Sequence, residues 1–277
     1  MNEKVDLHIH TTASDGRWTP QEVVSRAVQQ GLHAIAITDH DTVDGYQIAR
    51  SMVPPGLTIV SGIELSCDLP DHEVHILGYH FDVHHEELQC ILEKILIDRL
   101  RRTEKIVARL DQLGYTISLE RVREVAHSAK AIGRPHIAKV LVEKGYFSNI
   151  SEVFTTVLAK NGAAYIPHYK LTPAEAISLI HRLGGLAVLA HPGLVGDDNL
   201  VQDMIGLGID GLEAIHPAHS SKRICTYSAM AERCGLLITG GSDFHSIPGR
   251  YPEDLGEFAV PYEILEKLNY TKKIRMT

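Results

Sequence analysis

Paired cysteines, long apolar runs and an excess of positive charge are all missing from this chain. Its four cysteines, Cys67, Cys90, Cys225 and Cys234, form no CxxC pair. That argues against a thiolate zinc site and a disulfide framework; they read as reduced, mostly buried thiols. No stretch reaches the roughly 18 apolar residues of a membrane span, and the opening MNEKVDLHIH has no apolar segment of the secretory type. The expectation is a soluble, cytoplasmic protein with no membrane contact. Lys and Arg number 27 against 35 Asp and Glu, a formal net charge of -8. Such a surface repels a polyanion, so long non-specific nucleic-acid contact is not expected. A short phosphorylated substrate stays compatible if bound cations supply positive charge locally. Aromatics are few, with one Trp and five Phe, against 17 histidines, many of them beside Asp or Glu at the ends of apolar runs.

Those apolar runs alternate with helical patterns. Strands are predicted at Val5–His8, Ala34–Thr38, Leu57–Leu65, Glu73–Tyr79, Leu186–Ala190, Gly211–Ile215 and Leu236–Thr239. Thr19-Pro20-Gln21-Glu22 and Thr172-Pro173-Ala174-Glu175 are capping-box helix starts. A long helix is predicted from about 85 to 113, its mixed charges reading as a solvated face, and shorter ones near 119–128, 135–144 and 151–159, with no strong strand between. The domain reading is therefore a barrel in two parts, 1–98 and 165–277, interrupted by a helical insertion at 99–164. Repeated strand–helix units predict a parallel sheet covered by helices, and about seven strands suit a barrel, whole or distorted, better than a small open sheet.

In parallel α/β folds functional groups gather at the C-terminal strand ends. Those ends carry His8 and His10 with Asp15 beyond them, then His40, Glu64, His75, His191, Glu213 with His216, and Asp243 with His245. His8 and His10 are two apart and on a strand share a side. A lone HxH is weak, and an isolated histidine is more often a satisfied structural one; a ligand-type residue at every strand end points to metal. Imidazole and carboxylate without thiolate suit Mn, Fe or Zn, and so many donors suit two or three ions. Clustered ions clamp a phosphoryl group and activate water, which makes hydrolysis the expected chemistry.

The segments DLHIHTTASDG (6–16), AITDHDTVDG (36–45), GIELS (62–66), VHILGY (74–79), LAHPG (189–193) and GGSDFH (240–245) together resemble the PHP family, named for its polymerase and histidinol phosphatase members. The resemblance implies an α/β fold, a distorted seven-stranded (β/α) barrel with a helical insertion, and a trinuclear metal site. By position, His8, His10, Glu64 and Asp243 would hold one metal; Asp15, His40 and His245 a second; Glu64, His75 and His191 a third. No single protein side chain would be the nucleophile; activated water, with manganese the first choice of ion, would attack phosphorus.

IGRPHIAKVLVEKG (132–145), AYIP (164–167) and IHPAHS (215–220) are most similar to stand-alone members of that family. Those act on nucleoside 3',5'-bisphosphates or as 5'-to-3' exoribonucleases on short 5'-phosphorylated ends. Substrate contacts are expected from Arg134, just before a helix, from His216 and His219, and from Lys160, though a solvated Arg or a helix-terminal Lys is the bland alternative. Asp39 and Asp41 are expected to orient His40. His33, His72, His80, His84, His85, His127 and His181 read as structural or surface residues, and His168 as a possible lining residue. The expectation is thus a phosphoesterase, monomeric or a small homo-oligomer, acting on a small nucleotide or short phosphorylated oligonucleotide. Histidinol-phosphate hydrolysis on the same scaffold is one alternative, and a non-catalytic metal-binding module of a larger complex is another.

Overall fold

The computed structural model describes residues 3–69, 72–126, 131–160, 162–167, 171–247, 249 and 251–275. His127 and His168 lie outside the described residues. The chain divides into two compact units, Met1–Gln89 with Lys170–Thr277, and Cys90–Tyr169.

The first unit is built on one sheet of eight strands: β1 (Lys4–Ile9), β2 (Ala34–Ile37), β3 (Thr58–Asp68), β4 (Glu73–Tyr79), β5 (Leu186–Leu189), β6 (Gly211–Ile215), β7 (Leu237–Gly240) and the two-residue β8 (Val260–Pro261). Their order is β7-β6-β5-β4-β3-β2-β1-β8. The sheet nearly closes on itself, because Ile9 bridges Phe244 just past β7 and the His10 N–H donates to Phe244 O at 2.9 Å. The α/β barrel expected from the sequence is therefore present, with one strand more. It is not wholly parallel: β4 runs antiparallel to both β3 and β5. The reason is local. Only residues 69–72 separate β3 from β4, far fewer than the dozen or so a parallel crossover needs, so the chain must turn straight back.

Helices α1 (Pro20–Gln29) and α7 (Pro173–Arg182) begin in the capping boxes read from the sequence. The Thr19 and Thr172 hydroxyls accept from the Glu22 and Glu175 N–H groups, and each glutamate reaches back to its cap. α2 (Asp44–Arg50) was not anticipated: its N-cap position is Val43, with no side-chain cap bond, so the usual start signal is absent. Val5, Leu7, Ala36, Val60, Leu77, Tyr79, Val188 and Val260 pack in one apolar core of this unit. Tyr79 ties that core to the backbone by donating to Leu7 O at 2.8 Å.

The second unit is helical. α3 (Glu86–Gln112) leads into it, followed by α4 (Leu119–Ala126), α5 (Arg134–Glu143) and α6 (Ile150–Val153) with its π-helical continuation Phe154–Leu158. No strand occurs there among the described residues. Ile106, Leu110, Val122, Ile137, Leu141, Val153 and Leu158 form a core of its own. Of the cysteines only Cys67 is buried; Cys90, Cys225 and Cys234 are exposed, contrary to the expectation of mostly buried thiols, because they lie on or at the end of α3 and the helix Ser221–Arg233, facing solvent. No helix among the described residues is long and apolar enough to cross a membrane.

Candidate metal centre

The reversed β4 sets the rim of the site. A strand running the other way presents its N-terminal end where its neighbours present their C-terminal ends. His75, third residue of β4, therefore arrives beside the ends of β1 and β2 rather than at the far side as a strand-end residue. His75, Leu77 and Tyr79 share one strand face by the period of two; the last two are core residues, so His75 crowns the core. Glu64 also lies within its strand rather than at its end. β3 pairs with β2 only as far as Ser61, and His40 bridges Glu64 just beyond.

Glu64 is the hub, 1% exposed. Its Oε1 lies 2.8 Å from His75 Nδ1 and 3.0 Å from His191 Nε2. Its Oε2 lies 3.1 Å from His10 Nε2, 3.1 Å from His40 Nδ1 and 3.4 Å from His8 Nε2. Asp243 Oδ1 stands 3.2 Å from His10 Nε2 and 3.5 Å from His8 Nε2. Asp15 Oδ1 stands 3.3 Å from His245 Nε2 and 3.6 Å from His10 Nδ1. Among the described residues three overlapping sets could each hold a metal ion: His10, Asp15, His40 and His245; His8, His10 and Asp243; His40, Glu64 and His75. His10 and His40 each serve two sets. His191 enters through Glu64.

The donors fit divalent ions. His8 Nε2 and His10 Nε2 face each other at 3.1 Å, an arrangement that suits two ligands of one ion. His191 Nδ1 is buried with no hydrogen-bond partner among the described residues, while Glu64 Oε2 and His40 Nδ1 meet only other ionisable groups of the cluster, 3.1 Å apart. Imidazole nitrogens and carboxylate oxygens gathered this closely suit cations between them. Charge gives the same picture. Burial works to raise the Glu64 carboxyl, but His40, His75 and His8 hold it well below its ordinary range. Burial likewise opposes Asp243, and His245 and His8 reverse it. At His10 burial opposes the charge, yet hydrogen bonds to Asp243 and Glu64 lift the imidazole to about 10, whereas at His40 burial wins and takes it down to about 3. The carboxylates hold their charge and draw cations in; divalent ions meet that demand without burying excess protons.

Backbone strain falls on the same residues. His191 has φ 28 and Asp243 φ 48, the left-handed region that non-glycine residues avoid and that collects at functional sites. Their loops are pinned. The His219 ring uses both nitrogens inside the protein, Nδ1 donating to Ala214 O at 2.8 Å and Nε2 accepting from the Gly193 N–H at 2.9 Å. With both nitrogens engaged, His219 is a prop for the loop after His191. His216 differs: its Nδ1 accepts from the Ala218 N–H at 3.1 Å, so the proton of the neutral ring sits on Nε2, 3.5 Å from Asp243 Oδ2. Asp39 is likewise not the orienter of His40. Its carboxylate accepts from the Thr11 N–H and hydroxyl, each at 2.7 Å, and from Ser14 Oγ at 2.6 Å, which fixes the loop that carries Asp15. Asp41 Oδ1 accepts from the Ser66 N–H at 2.9 Å.

Arg134 and Lys160 belong to the helical unit. Arg134 Nη1 donates to Leu158 O at 3.3 Å, and its guanidinium lies over the Phe154 ring, 5.7 Å from the centroid. The residue given too little weight in the sequence is Glu213, fully buried with Oε1 2.8 Å from His8 Nδ1. Its signal was a carboxylate inside the otherwise apolar strand GLEAI.

Comparison with known proteins follows this geometry. The chain is 35% identical over 248 residues to the 5'-3' exoribonuclease Rnm of Escherichia coli (strain K12), covering 87% of this chain and 84% of that one. It is 31% identical over 258 residues to the 3',5'-nucleoside bisphosphate phosphatase of Chromobacterium violaceum, covering 91% and 90%. It is 33% identical over 251 residues to the phosphoribosyl 1,2-cyclic phosphate 1,2-diphosphodiesterase of Eggerthella lenta, covering 89% and 96%. A crystal structure from Bifidobacterium adolescentis, of a protein predicted to be a metal-dependent phosphoesterase, superposes with a TM-score of 0.86 at 33% identity, covering 95% and 94%. The PHP domain model matches residues 6–183, and the chain belongs to the PHP domain family.

Proposed function

We propose that this metal-dependent phosphoesterase removes the 3'-phosphate of nucleoside 3',5'-bisphosphates and that cleavage from the 5'-phosphorylated end of short RNAs uses the same site. The observation that carries the chemistry is the convergence of His8, His10, His40, His75 and His191 on the buried carboxylate of Glu64. The substrate class draws on the relatives from Escherichia coli and Chromobacterium violaceum, both acting on nucleotide phosphate esters by name.

His8, His10, Asp15, His40, Glu64, His75, His191, Asp243 and His245 are the proposed ligands of two or three divalent ions, manganese first, with iron or zinc as alternatives. Bound there, such ions neutralise phosphoryl oxygens and lower the pKa of water. The protein's own residues do the rest. Asp39 fixes the Asp15 loop through Thr11 and Ser14. His219 holds the loop after His191 through Gly193. His216 offers an Nε2–H donor next to Asp243, suited to a phosphoryl oxygen gaining charge in the transition state. Arg134 and Lys160 are carried as phosphate contacts on sequence grounds, and their alanine variants are expected to raise KM more than they lower kcat. We place the enzyme in the cytoplasm.

The test is phosphate release and product analysis with manganese present, over 3'-phosphoadenosine 5'-phosphate, short 5'-phosphorylated RNAs, phosphoribosyl 1,2-cyclic phosphate and histidinol phosphate. The bisphosphate or the RNA should be the best substrate by kcat/KM. Faster turnover of the cyclic phosphate would favour a second reading, carried by the Eggerthella lenta relative. Preference for histidinol phosphate would replace the nucleotide reading, and no hydrolysis of any ester by metal-loaded protein would leave a non-catalytic metal-binding module.

A further inference from the structure

We propose that Glu213 is the positioning residue of this centre, one carboxylate orienting both the His8 imidazole and the strained backbone at His191. The proposal rests on the reading that His8 and His191 belong to a metal-binding set. Glu213 is fully buried on β6 between the buried Leu212 and Ala214. A carboxylate in such a place is costly unless its oxygens are paired, and both are. Oε1 lies 2.8 Å from His8 Nδ1, and Oε2 accepts the His191 N–H at 2.8 Å.

Each contact has a consequence at the centre. With Nδ1–H of His8 donated to Glu213, the lone pair of Nε2 is left facing His10 Nε2 at 3.1 Å and Glu64 Oε2 at 3.4 Å. The carboxylate thus selects the ligating nitrogen and fixes the ring plane, as an outer partner of a metal-bound histidine does. At the second contact, His191 holds φ 28, and a charge-assisted bond to its N–H at that point offsets the conformational cost. Glu213 stands outside the donor groups that could hold an ion among the described residues, so its part is to orient them. The same double duty explains why glutamine cannot replace it. An amide has one accepting oxygen, so its NH2 would confront either the His8 Nδ1–H or the His191 N–H.

The experiment compares wild type with Glu213→Gln. Manganese binding to metal-stripped protein is followed by calorimetry, and thermal unfolding and the KM for a phosphate ester at saturating manganese are measured alongside. The expected result is a manganese affinity lowered about 10–100-fold, with KM unchanged at saturating manganese and a lower melting temperature, since the amide leaves one buried N–H facing its NH2. Affinity within twofold of wild type would overturn the proposal. Nitrogen-15 NMR of histidine-labelled, zinc-loaded wild type gives a reading that does not depend on the variant folding. His8 should carry its proton on Nδ1, and an unprotonated Nδ1 would overturn the positioning role. Wild type that takes up no manganese would instead overturn the metal-centre reading beneath it, an outcome distinct from the other two.

Discussion

Glu64 and His191 are 127 residues apart in the chain, yet Nε2 of His191 lies 3.0 Å from Oε1 of Glu64. The other carboxylate oxygen meets His8, His10 and His40, so both oxygens are shared among the imidazoles. Glu64→Gln keeps the shape and removes the charge. A neutral amide would also place an NH2 among ring nitrogens that it cannot complement. The expected outcome is loss of at least one metal equivalent and a fall in kcat of about 100-fold or more, on the scale of removing a preorganised electrostatic partner. Metal analysis of the purified variant beside steady-state kinetics checks both. A variant with full metal content and full activity would remove Glu64 from its place at the centre.

Chelation separates the site from the fold. The apolar core of the barrel unit and that of the helical unit are built from residues outside the ligand set. Prolonged treatment with a chelator should therefore abolish phosphate release while leaving the far-ultraviolet circular dichroism unchanged. Added manganese should restore activity and raise the melting temperature, since a ligand bound only by the folded state stabilises it by mass action. Chelated protein that still turns over substrate would contradict metal dependence.

His216 and His219 sit one helical turn apart in sequence and do different work. His219 spends both ring nitrogens on Ala214 O and the Gly193 N–H. Its replacement by alanine strands a buried donor and acceptor, with an expected loss of about 1–3 kcal/mol of stability, read as a lower urea midpoint. His216 keeps Nε2 toward Asp243; His216→Ala should lower kcat by about 100-fold, as for loss of one transition-state donor, a larger fall than His219→Ala gives. Reversal of the two phenotypes would exchange the roles.

Much of this was legible in the sequence because strands and ligands share one periodicity. AIAI and LAVL are continuous apolar runs whose ends must carry the polar residues, and His8 and His10 fall on one side by spacing alone. The capping boxes at Thr19 and Thr172 were readable because the cap chemistry is local. What escaped depended on contacts between distant segments. The reversal of β4 followed from a connection too short for a crossover, but its effect, bringing His75 to the shared rim, appears only in three dimensions. In sequence Glu213 is one more carboxylate on a strand; its partner His8 lies 205 residues away. The contacts of His219 with Gly193 and of Asp39 with Thr11 and Ser14 likewise join segments apart in the chain, which no local pattern reveals.

The last prediction concerns pH and lies away from the centre. His80 follows β4 at φ 57. Its Nε2 is buried with no hydrogen-bond partner among the described residues, and Lys272 Nζ donates to its carbonyl at 2.6 Å. Burial, and then the Lys272 charge, push the imidazole down from 6.5 to about 4. The sign follows from which state protonates first. Above pH 6.5 the ring is neutral folded and unfolded, and the native state loses nothing through it. As pH falls from 6.5 toward 4 the unfolded chain takes up a proton that the folded protein refuses, so stability declines across that window, by an amount on the order of 3 kcal/mol at its acid end. His80→Asn removes the titration and suits the left-handed backbone, which asparagine tolerates well. Urea unfolding of wild type and variant from pH 7.5 to 4 should show a smaller decline in the variant, so the stability difference between them shifts in its favour as pH falls from 6.5 toward 4. If both decline in parallel, the protonation of His80 is not what destabilises the protein in acid.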